Sequence, residues 1–323
     1  MYYPSYRMRR LRRTAPLRAM VRESAVGPSD LVCPLFVSAG ENIKQPIASL
    51  PGCFKLSIAN LLHEVRDVVQ RGIPAVMLFG IPSHKDSAGS GAYDAEGVVQ
   101  MAVRAVKDEF PELIVITDVC LCAYVDHGHC GVVQHGEIVN DVTLELLAKT
   151  AITHAESGAD IVSPSDMMDG RVAAIRNALD DEGLIDTAVM PASATFASAY
   201  YAPHEAAVGS APVFGDRRSY QLDAANAEEA VREVLLDIEE GADLVMVKPA
   251  LLALDVIRIV KQETRFPLAA FSVSGEYAMI KAAAASGWLD ERAAALEAVT
   301  AIKRAGADLI VTYHAKEIAG WLA

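Results

Sequence analysis

The sequence predicts an α/β protein, a TIM (β/α)8 barrel with an extended N-terminal arm. Short apolar segments typical of buried strands recur eight times along the chain, and amphipathic helical stretches separate most of them. Three helix-to-strand junctions share the spelling Gly-Ala-Asp. Eight strands alternating with helices are typical of a TIM barrel, whose active site lies where the strands end. We therefore divide the chain into an arm, residues 1–30, and a catalytic barrel, residues 31–323.

The predicted strands are short, apolar and rich in β-branched residues. They are Leu31–Val37, Ala75–Gly80, Ile114–Cys120, Ala159–Ser165, Thr187–Ser193, Ala242–Pro249, Leu268–Ser274 and Ala307–His314. The predicted helices include Ile58–Arg71, Val98–Phe110, Leu144–Ser157, Arg171–Asp180, Ala227–Glu240 and Arg292–Ala305. At Gly158, Gly241 and Gly306 a left-handed glycine is expected to end one helix, and the next strand begins at once.

Composition limits the class of protein. With 323 residues, 52% of them hydrophobic, the chain can bury a large core, and its net charge of −13 argues against a nucleic-acid partner. No apolar run approaches the roughly 20 residues that cross a bilayer, and the N-terminus lacks the apolar centre of a secretory signal. Five cysteines, three of them between residues 120 and 130, favour a reducing compartment and a metal over a disulfide framework. These features predict a soluble cytoplasmic enzyme without a membrane partner.

The arm differs from the rest of the chain in charge. Seven arginines crowd residues 7–22, where apolar periodicity is weak. Such a basic segment could be disordered, a transit peptide, or an arm that wraps an acidic neighbouring subunit. Tyr2, Tyr3 and Tyr6 would anchor it, so we favour the subunit arm and expect a homo-oligomer.

The predicted strand Ala242–Pro249 ends in Lys248. Charged groups are almost never buried unpaired, and burial favours the neutral amine over the ammonium ion. A neutral buried amine attacks a ketone or aldehyde to form a Schiff base. The alternative is a lysine at the rim whose amine reaches water.

A loop with three cysteines follows the third predicted strand. Cys120, Cys122 and Cys130 offer three thiolates, which leave a fourth tetrahedral position open, as in catalytic zinc sites. The neighbouring His127 and His129 could compete as ligands, and Asp118 or Asp126 could support the metal or act as a base. The alternative is three reduced cysteines without a metal.

Two further segments carry polar groups at the predicted active-site face. In Ser163–Arg171, Ser165 could serve chemistry, although Ser165 or Asp166 could equally cap a helix. Phe196–Gln221 is too long for an ordinary connection and is a candidate lid. Arg217 or Arg218 in this segment could clamp a substrate carboxylate, or both could form a solvated surface pair.

Several long motifs occur together and in order. They are Cys120-Leu-Cys followed by His127-Gly-His-Cys-Gly131, Ser163–Arg171, Phe214-Gly-Asp-Arg217, Met246-Val-Lys-Pro249, Val273-Ser-Gly-Glu-Tyr277 and Arg304–Tyr313. With these motifs the chain resembles the porphobilinogen synthase (5-aminolevulinate dehydratase) family over nearly its whole length. The resemblance implies a TIM barrel with an N-terminal arm, usually a homo-octamer. It also implies a lyase that condenses two 5-aminolevulinates into porphobilinogen, the tetrapyrrole precursor.

The resemblance also implies roles for individual residues. Lys248 would form the Schiff base with the first substrate, with Asp118 and Ser165 near its amino group and Ser274 and Tyr313 on its carboxylate. The resemblance also assigns the second substrate: Cys120, Cys122 and Cys130 would hold the zinc that serves it, and Arg217 and Gln221 would contact its carboxylate. Magnesium is a further candidate cofactor, for which the residues supply no motif.

The departures from the family pattern concentrate at the second substrate. Thr195 stands where the family has a second Schiff-base lysine, and Glu205 where it has a lid arginine. Threonine cannot form an imine, and glutamate would repel a substrate carboxylate. Other departures are Ala192, Ala202, Ser272 and His314.

Three hypotheses follow. We favour an enzyme that holds 5-aminolevulinate, or a related keto acid, on Lys248 and joins it to a different, unidentified second substrate bound by zinc. The first alternative is an ordinary porphobilinogen synthase that tolerates the loss of the lysine. The second is an inactive homologue that assembles with an active paralogue; retention of Lys248 and the three cysteines argues against it.

Overall fold

The computed structural model describes residues 2–323, of which residues 31–323 form a TIM barrel. The strands are β1 (Leu31–Ser38), β2 (Lys44–Pro46), β3 (Phe54–Leu56), β4 (Ala75–Ile81), β5 (Ile114–Val119), β6 (Val132–Gln134), β7 (Glu137–Val139), β8 (Ile161–Pro164), β9 (Ala188–Val189), β10 (Ala194–Thr195), β11 (Val245–Lys248), β12 (Leu268–Ser272) and β13 (Leu309–Thr312). The α-helices are α1 (Ala15–Met20), α2 (Ile58–Gln70), α3 (Val98–Glu109), α4 (Asn140–Glu156), α5 (Arg171–Asp181), α6 (Ala202–Val208), α7 (Ala227–Glu239), α8 (Leu254–Thr264), α9 (Ser274–Ala285), α10 (Glu291–Ala305) and α11 (Ala315–Leu322).

The barrel sheet is parallel and runs in the order β10-β11-β12-β13-β1-β4-β5-β8-β9. The predicted fifth strand appears as the two short strands β9 and β10 because Pro191, between them, has no N–H to donate. The intervening backbone still bonds to both sides: Ala192 N donates to Pro164 O, and Pro191 O accepts from Met246 N. These bonds close the barrel at its fifth strand.

The core forms because strands and helices present apolar residues at the matching periods. β12 is buried along its whole length, as expected for a strand covered on both faces. α2 buries Leu61, Val65 and Val68, spaced four and three residues apart on one face against the barrel. Each such side chain contributes roughly 1.5–3 kcal/mol when fully buried.

The repeated Gly-Ala-Asp junctions share a structural function that the sequence did not suggest. At each junction the aspartate accepts a backbone N–H at the start of the preceding barrel strand and so fixes the register of two neighbouring strands. The three bonds are Val115 N to Asp160, Val189 N to Asp243 and Leu268 N to Asp308, at 2.7, 2.8 and 2.9 Å. Burying a backbone N–H without such an acceptor costs about 1–3 kcal/mol.

The prediction of a TIM barrel is confirmed, with strand ends shifted by a few residues. The structure adds an antiparallel hairpin of β6 and β7 directly after the cysteine loop. Among residues 2–323, no helix combines the length and apolarity needed to span a membrane.

The arm is exposed along most of its length. A short 3-10 helix, Met8–Arg12, and α1 contain no buried residue. Within residues 2–323, none of the arm's arginines forms an ion pair with the barrel. A role in subunit contacts remains a prediction.

Candidate active site

Most of the predicted site residues meet at one cavity over the carboxyl ends of the barrel strands. The cavity has a volume of about 60 Å³, room for a few water-sized molecules. Predicted site residues on its wall are Asp118, Cys120, Cys122, Cys130, Ser165, Glu205, Arg217, Gln221, Lys248, Ser274 and Tyr313. Phe79, Tyr201, His204, Ser210, Phe271 and Val273 complete the lining.

Lys248 is the last residue of β11, directly after three fully buried residues. Its side chain is half-buried and lines the cavity, and its Nζ lies 5.8 Å from the centre of the Tyr201 ring. The hydroxyl of Tyr201 donates to the Lys248 carbonyl at 3.3 Å, which fixes the backbone at the end of the strand. The amine therefore projects from a rigid strand into the cavity.

Glu276 supports the turn that follows Lys248. Its carboxylate accepts the N–H of Leu251 at 2.8 Å and the N–H of Val273 at 3.0 Å. It therefore ties the turn after β11 to the start of α9, which carries Ser274. Burial raises the pKa of Glu276 to about 7, against the opposing effect of these hydrogen bonds.

Asp118 and Ser165 form a pair next to the lysine. Ser165 Oγ donates to Asp118 Oδ1 at 2.6 Å. Burial raises the pKa of Asp118 to about 7, and the negative charge of Cys122 adds to this, while Lys248 opposes it. A carboxyl group that exchanges protons near neutral pH is suited to general acid–base chemistry.

The three predicted cysteines form a compact cluster. Their sulfur atoms lie within 4.8 Å of one another, and Cys120 and Cys130 are buried. Hydrogen bonds from Cys120 and then Cys130 lower the pKa of the Cys122 thiol, so the cluster favours a thiolate. A compact set of three sulfur donors facing a cavity fits a metal with one open position.

Neither histidine of the cysteine loop belongs to the cysteine cluster. His129 places its ring nitrogens 3.1 Å from the Tyr220 hydroxyl and 2.9 Å from the Phe214 carbonyl. His127 Nδ1 accepts the backbone N–H of His129. These bonds join the cysteine loop to the segment 214–220, and the metal-ligand grouping among residues 2–323 contains the cysteines alone.

Arg217 lines the cavity, whereas Arg218 points into solvent with its side chain 82% exposed. The Arg217 guanidinium binds the Glu205 carboxylate at 2.5 Å and donates to the carbonyls of Gly128 and Ser210. Burial alone would lower the pKa of Arg217, but the negative charges around it raise it. Two of the residues that the sequence linked to a second substrate, Arg217 and Glu205, therefore pair with each other.

His204 is a cavity residue that sequence reasoning missed. Its Nδ1 lies 3.2 Å from the Tyr313 hydroxyl, and its backbone N–H donates to Ser274 Oγ at 3.1 Å. Burial lowers the pKa of His204 to about 4, so the ring is neutral near pH 7. The available signal was its place next to Glu205, which already departs from the family pattern.

Thr195 lies beside Lys248 but does not line the cavity. The two residues are direct partners in the pairing of β10 with β11. Thr195 is fully buried, and its hydroxyl donates to the Ala192 carbonyl at 3.0 Å. The position predicted for a second amine is thus held by a hydroxyl that bonds to its own backbone.

α6 lies within the segment predicted as a lid and lines the cavity through His204 and Glu205, and several tethers hold it. Lys85 Nζ donates to the carbonyls of Val208 and Gly209 at 3.1 and 2.6 Å, at the end of the helix. Ser49 Oγ donates to the Pro203 carbonyl at 3.3 Å. With the Glu205 and His204 contacts, these bonds fix the helix at both ends and on its inner face.

Comparison with known proteins gives a consistent result. Residues 5–321 match the family model of delta-aminolevulinic acid dehydratase. Delta-aminolevulinic acid dehydratase of Halalkalibacterium halodurans is 54% identical over 316 residues, covering 98% of this chain and 96% of that protein. The enzyme of the same name from Archaeoglobus fulgidus is 55% identical over 317 residues, covering 98% of each.

A solved structure agrees with these relatives. Delta-aminolevulinic acid dehydratase (porphobilinogen synthase) from Toxoplasma gondii, in complex with the reaction product porphobilinogen, superimposes with a TM-score of 0.96. It is 45% identical in sequence, and the match covers 98% of this chain and 91% of that one.

Proposed function

Since the chain belongs to the delta-aminolevulinic acid dehydratase family, we propose that it binds 5-aminolevulinate as a Schiff base on Lys248 and forms porphobilinogen. The observation that carries this proposal is the meeting of Lys248 with the three-cysteine cluster in one cavity. An amine nucleophile and a set of metal ligands on one wall suit the joining of two small molecules. The high identity to dehydratases along the whole chain favours this ordinary function over the different second substrate expected from the sequence.

The first step uses residues of the lysine side. The amine of Lys248 adds to the ketone carbon of 5-aminolevulinate, and the resulting carbinolamine loses water to give the imine. The hydrogen-bonded pair of Asp118 and Ser165 lies on the same cavity wall, where it can take up and return the protons of this dehydration. Ser274 and Tyr313 are the expected partners of the substrate carboxylate, once His204 has moved away from them.

Cys120, Cys122 and Cys130 would hold a metal ion, which we propose to be zinc. Three thiolates and an open fourth position suit zinc better than the hard cations magnesium and calcium, which prefer oxygen ligands. When bound, zinc supplies a Lewis acid that can polarise and orient a second substrate. The protein's own contribution is Arg217, whose positive charge would balance the thiolates of the metal-bound cluster.

A second candidate function keeps the Schiff base on Lys248 but changes the partner. The ion pair between Glu205 and Arg217 favours it, because this arginine is the expected anchor of a second carboxylate. The burial of Thr195 adds to this, since a threonine cannot hold the second substrate as an imine. The partner would be a small molecule that presents a neutral or cationic group to Glu205.

One experiment separates these functions. The protein is incubated with 5-aminolevulinate, treated with borohydride and analysed by peptide mass spectrometry, while porphobilinogen is measured in a parallel sample. We expect one substrate-derived mass per chain at Lys248. The variant Lys248→Ala should lose the label, and Lys149→Ala, at an exposed position on α4, should keep it.

The outcomes assign the function. Label together with porphobilinogen at an ordinary enzymatic rate supports the ordinary synthase. Label without porphobilinogen supports the second candidate. Absence of label at saturating 5-aminolevulinate refutes both and leaves the inactive homologue that assembles with an active paralogue.

The arm is proposed to contact neighbouring subunits in a homo-oligomer, an octamer by resemblance to the family. Two observations support this proposal. The 3-10 helix Met8–Arg12 and α1 contain no buried residue, and Tyr2 and Tyr3 are exposed and offer apolar surface for a contact. Light scattering of the full chain should give a mass several times that of one chain. A mass of one chain at assay concentrations would refute the proposal.

A further inference from the structure

Arg217, the cavity residue that could bind a ligand carboxylate, is already paired with another residue of the protein. One nitrogen of the Arg217 guanidinium donates to the Glu205 carboxylate, and another donates to the carbonyls of Gly128 and Ser210. Its side chain is only 9% exposed, and that of Glu205 is 22% exposed. A largely buried arginine that could bind a ligand carboxylate is therefore already paired with a carboxylate from α6.

The neighbouring residue of α6 fills the second polar group of the cavity. The His204 backbone takes the acceptor position of Ser274 Oγ, whose proton goes to the Tyr200 carbonyl at 3.1 Å. The Tyr313 hydroxyl pairs with the His204 ring. Two consecutive residues of one helix thus pair with the arginine and with the two hydroxyl groups that could hold a ligand carboxylate.

The pairing of Glu205 with Arg217 changes the charge that a ligand meets at this position. A free Arg217 would attract a ligand carboxylate, but its ion pair with Glu205 has no net charge. A carboxylate that enters must break a charge-assisted bond before it can form an equivalent one. A neutral or cationic group meets no such cost.

We propose that Glu205 is a specificity-determining residue, an internal occupant of Arg217 that makes the cavity select against ligands with a carboxylate at this position. The proposal rests on the proposed function only in taking this cavity as the substrate site. While Glu205 is paired with Arg217, the ligand group that faces the two residues is a neutral hydrogen-bonding group or an amine. A ligand carboxylate binds only when Glu205, and α6 with it, has been displaced.

The test measures the binding of pentanoate by calorimetry. Pentanoate is a carboxylate of substrate length that lacks the ketone group. Because pentanoate cannot form a Schiff base, the result does not depend on the chemistry of Lys248. Glu205→Gln keeps the shape of the side chain and removes its charge, and we expect pentanoate to bind about 10-fold to 100-fold more tightly than to the unmodified protein. The matched control is Glu96→Gln, which alters an arginine-paired glutamate in an exposed pair outside the cavity. It should leave the affinity unchanged.

A second substitution assigns the gain to the arginine. Adding Arg217→Gln to Glu205→Gln should abolish the tighter binding, and a gain that survives this change would overturn the proposal. Equal pentanoate affinities for Glu205→Gln and the unmodified protein would also overturn it. If 5-aminolevulinate still labels Lys248 in that case, the proposed function stands and the specificity proposal alone falls.

A measurement on the unmodified protein covers the event that Glu205→Gln does not fold. Saturating pentanoate should increase hydrogen exchange in residues 202–208 because α6 is displaced, while α3 should exchange as before. Pentanoate that binds without changing the exchange of α6 would refute the displacement.

Discussion

The carboxyl group of Glu276 is predicted to make the protein less stable as the pH rises from about 4.5 to about 7. Burial raises the pKa of Glu276 from 4.5 to about 7, so the folded protein favours its protonated form. A raised carboxyl pKa gives a contribution to stability that is present at low pH and is lost as the pH rises through the folded pKa. The difference of roughly 2.5 units corresponds to about 3 kcal/mol of unfolding free energy.

The assay compares the unmodified protein with Glu276→Gln, which cannot titrate. Urea unfolding of both proteins at one protein concentration, at several pH values between 4.5 and 8, gives the difference between their unfolding free energies. This difference should move by about 3 kcal/mol in favour of Glu276→Gln as the pH rises to 7, and then level off. Glu96→Gln, which removes an exposed carboxyl group, should not reproduce the change. A difference that is constant with pH, or that moves the other way, would refute the assignment of a buried, hard-to-ionise carboxyl group at the base of the Lys248 turn.

Three further predictions concern the cavity and its support. Thr195→Lys combined with Glu205→Arg should raise porphobilinogen formation more than either change alone. If the loss of the imine and of the arginine anchor slows the unmodified protein as expected, the double variant should be at least about 10³-fold faster than the unmodified protein. A double variant no faster than the unmodified protein would contradict the roles given to both positions. Cys122→Ser should lose the roughly one zinc per chain expected by metal analysis, while Cys33→Ser, whose thiol is remote from the cluster, should keep it. Arg171→Met should lower the free energy of urea unfolding by about 3–5 kcal/mol because it leaves the buried carboxylates of Asp166 and Asp237 without their cation. A decrease below about 1 kcal/mol would show that these ion pairs are dispensable.

The barrel could be predicted because its strands are continuous apolar runs and its helices have clear amphipathic periods. The hairpin of β6 and β7 was not predicted because strands of three residues carry no measurable period. The Gly-Ala-Asp repeat marked the junctions correctly, but the hydrogen bond from each aspartate to a neighbouring strand depends on which strands are adjacent. That information appears only when the barrel closes.

The residues that line the candidate site were easier to predict than the contacts that they make with one another. Lys248 and the cysteine cluster follow from strand ends and loop composition, and the structure places them on one cavity. The ion pair of Glu205 with Arg217 could not be predicted, because the two residues lie twelve positions apart and meet only through the orientation of α6. His204 escaped notice for the same reason, since a lone histidine in a lid segment gives no sign of the hydroxyl it will face.

The tethers on α6 have a consequence for the timing of catalysis. Lys85, Ser49, His204 and Glu205 hold the helix through contacts that break when α6 moves away from the cavity. Events of this kind run on microsecond to millisecond or longer timescales and limit turnover in many enzymes that close a lid over their substrates. We therefore expect exchange through the lid, rather than bond formation at Lys248, to set the pace. The first turnover inside the closed cavity should then be faster than the steady-state rate.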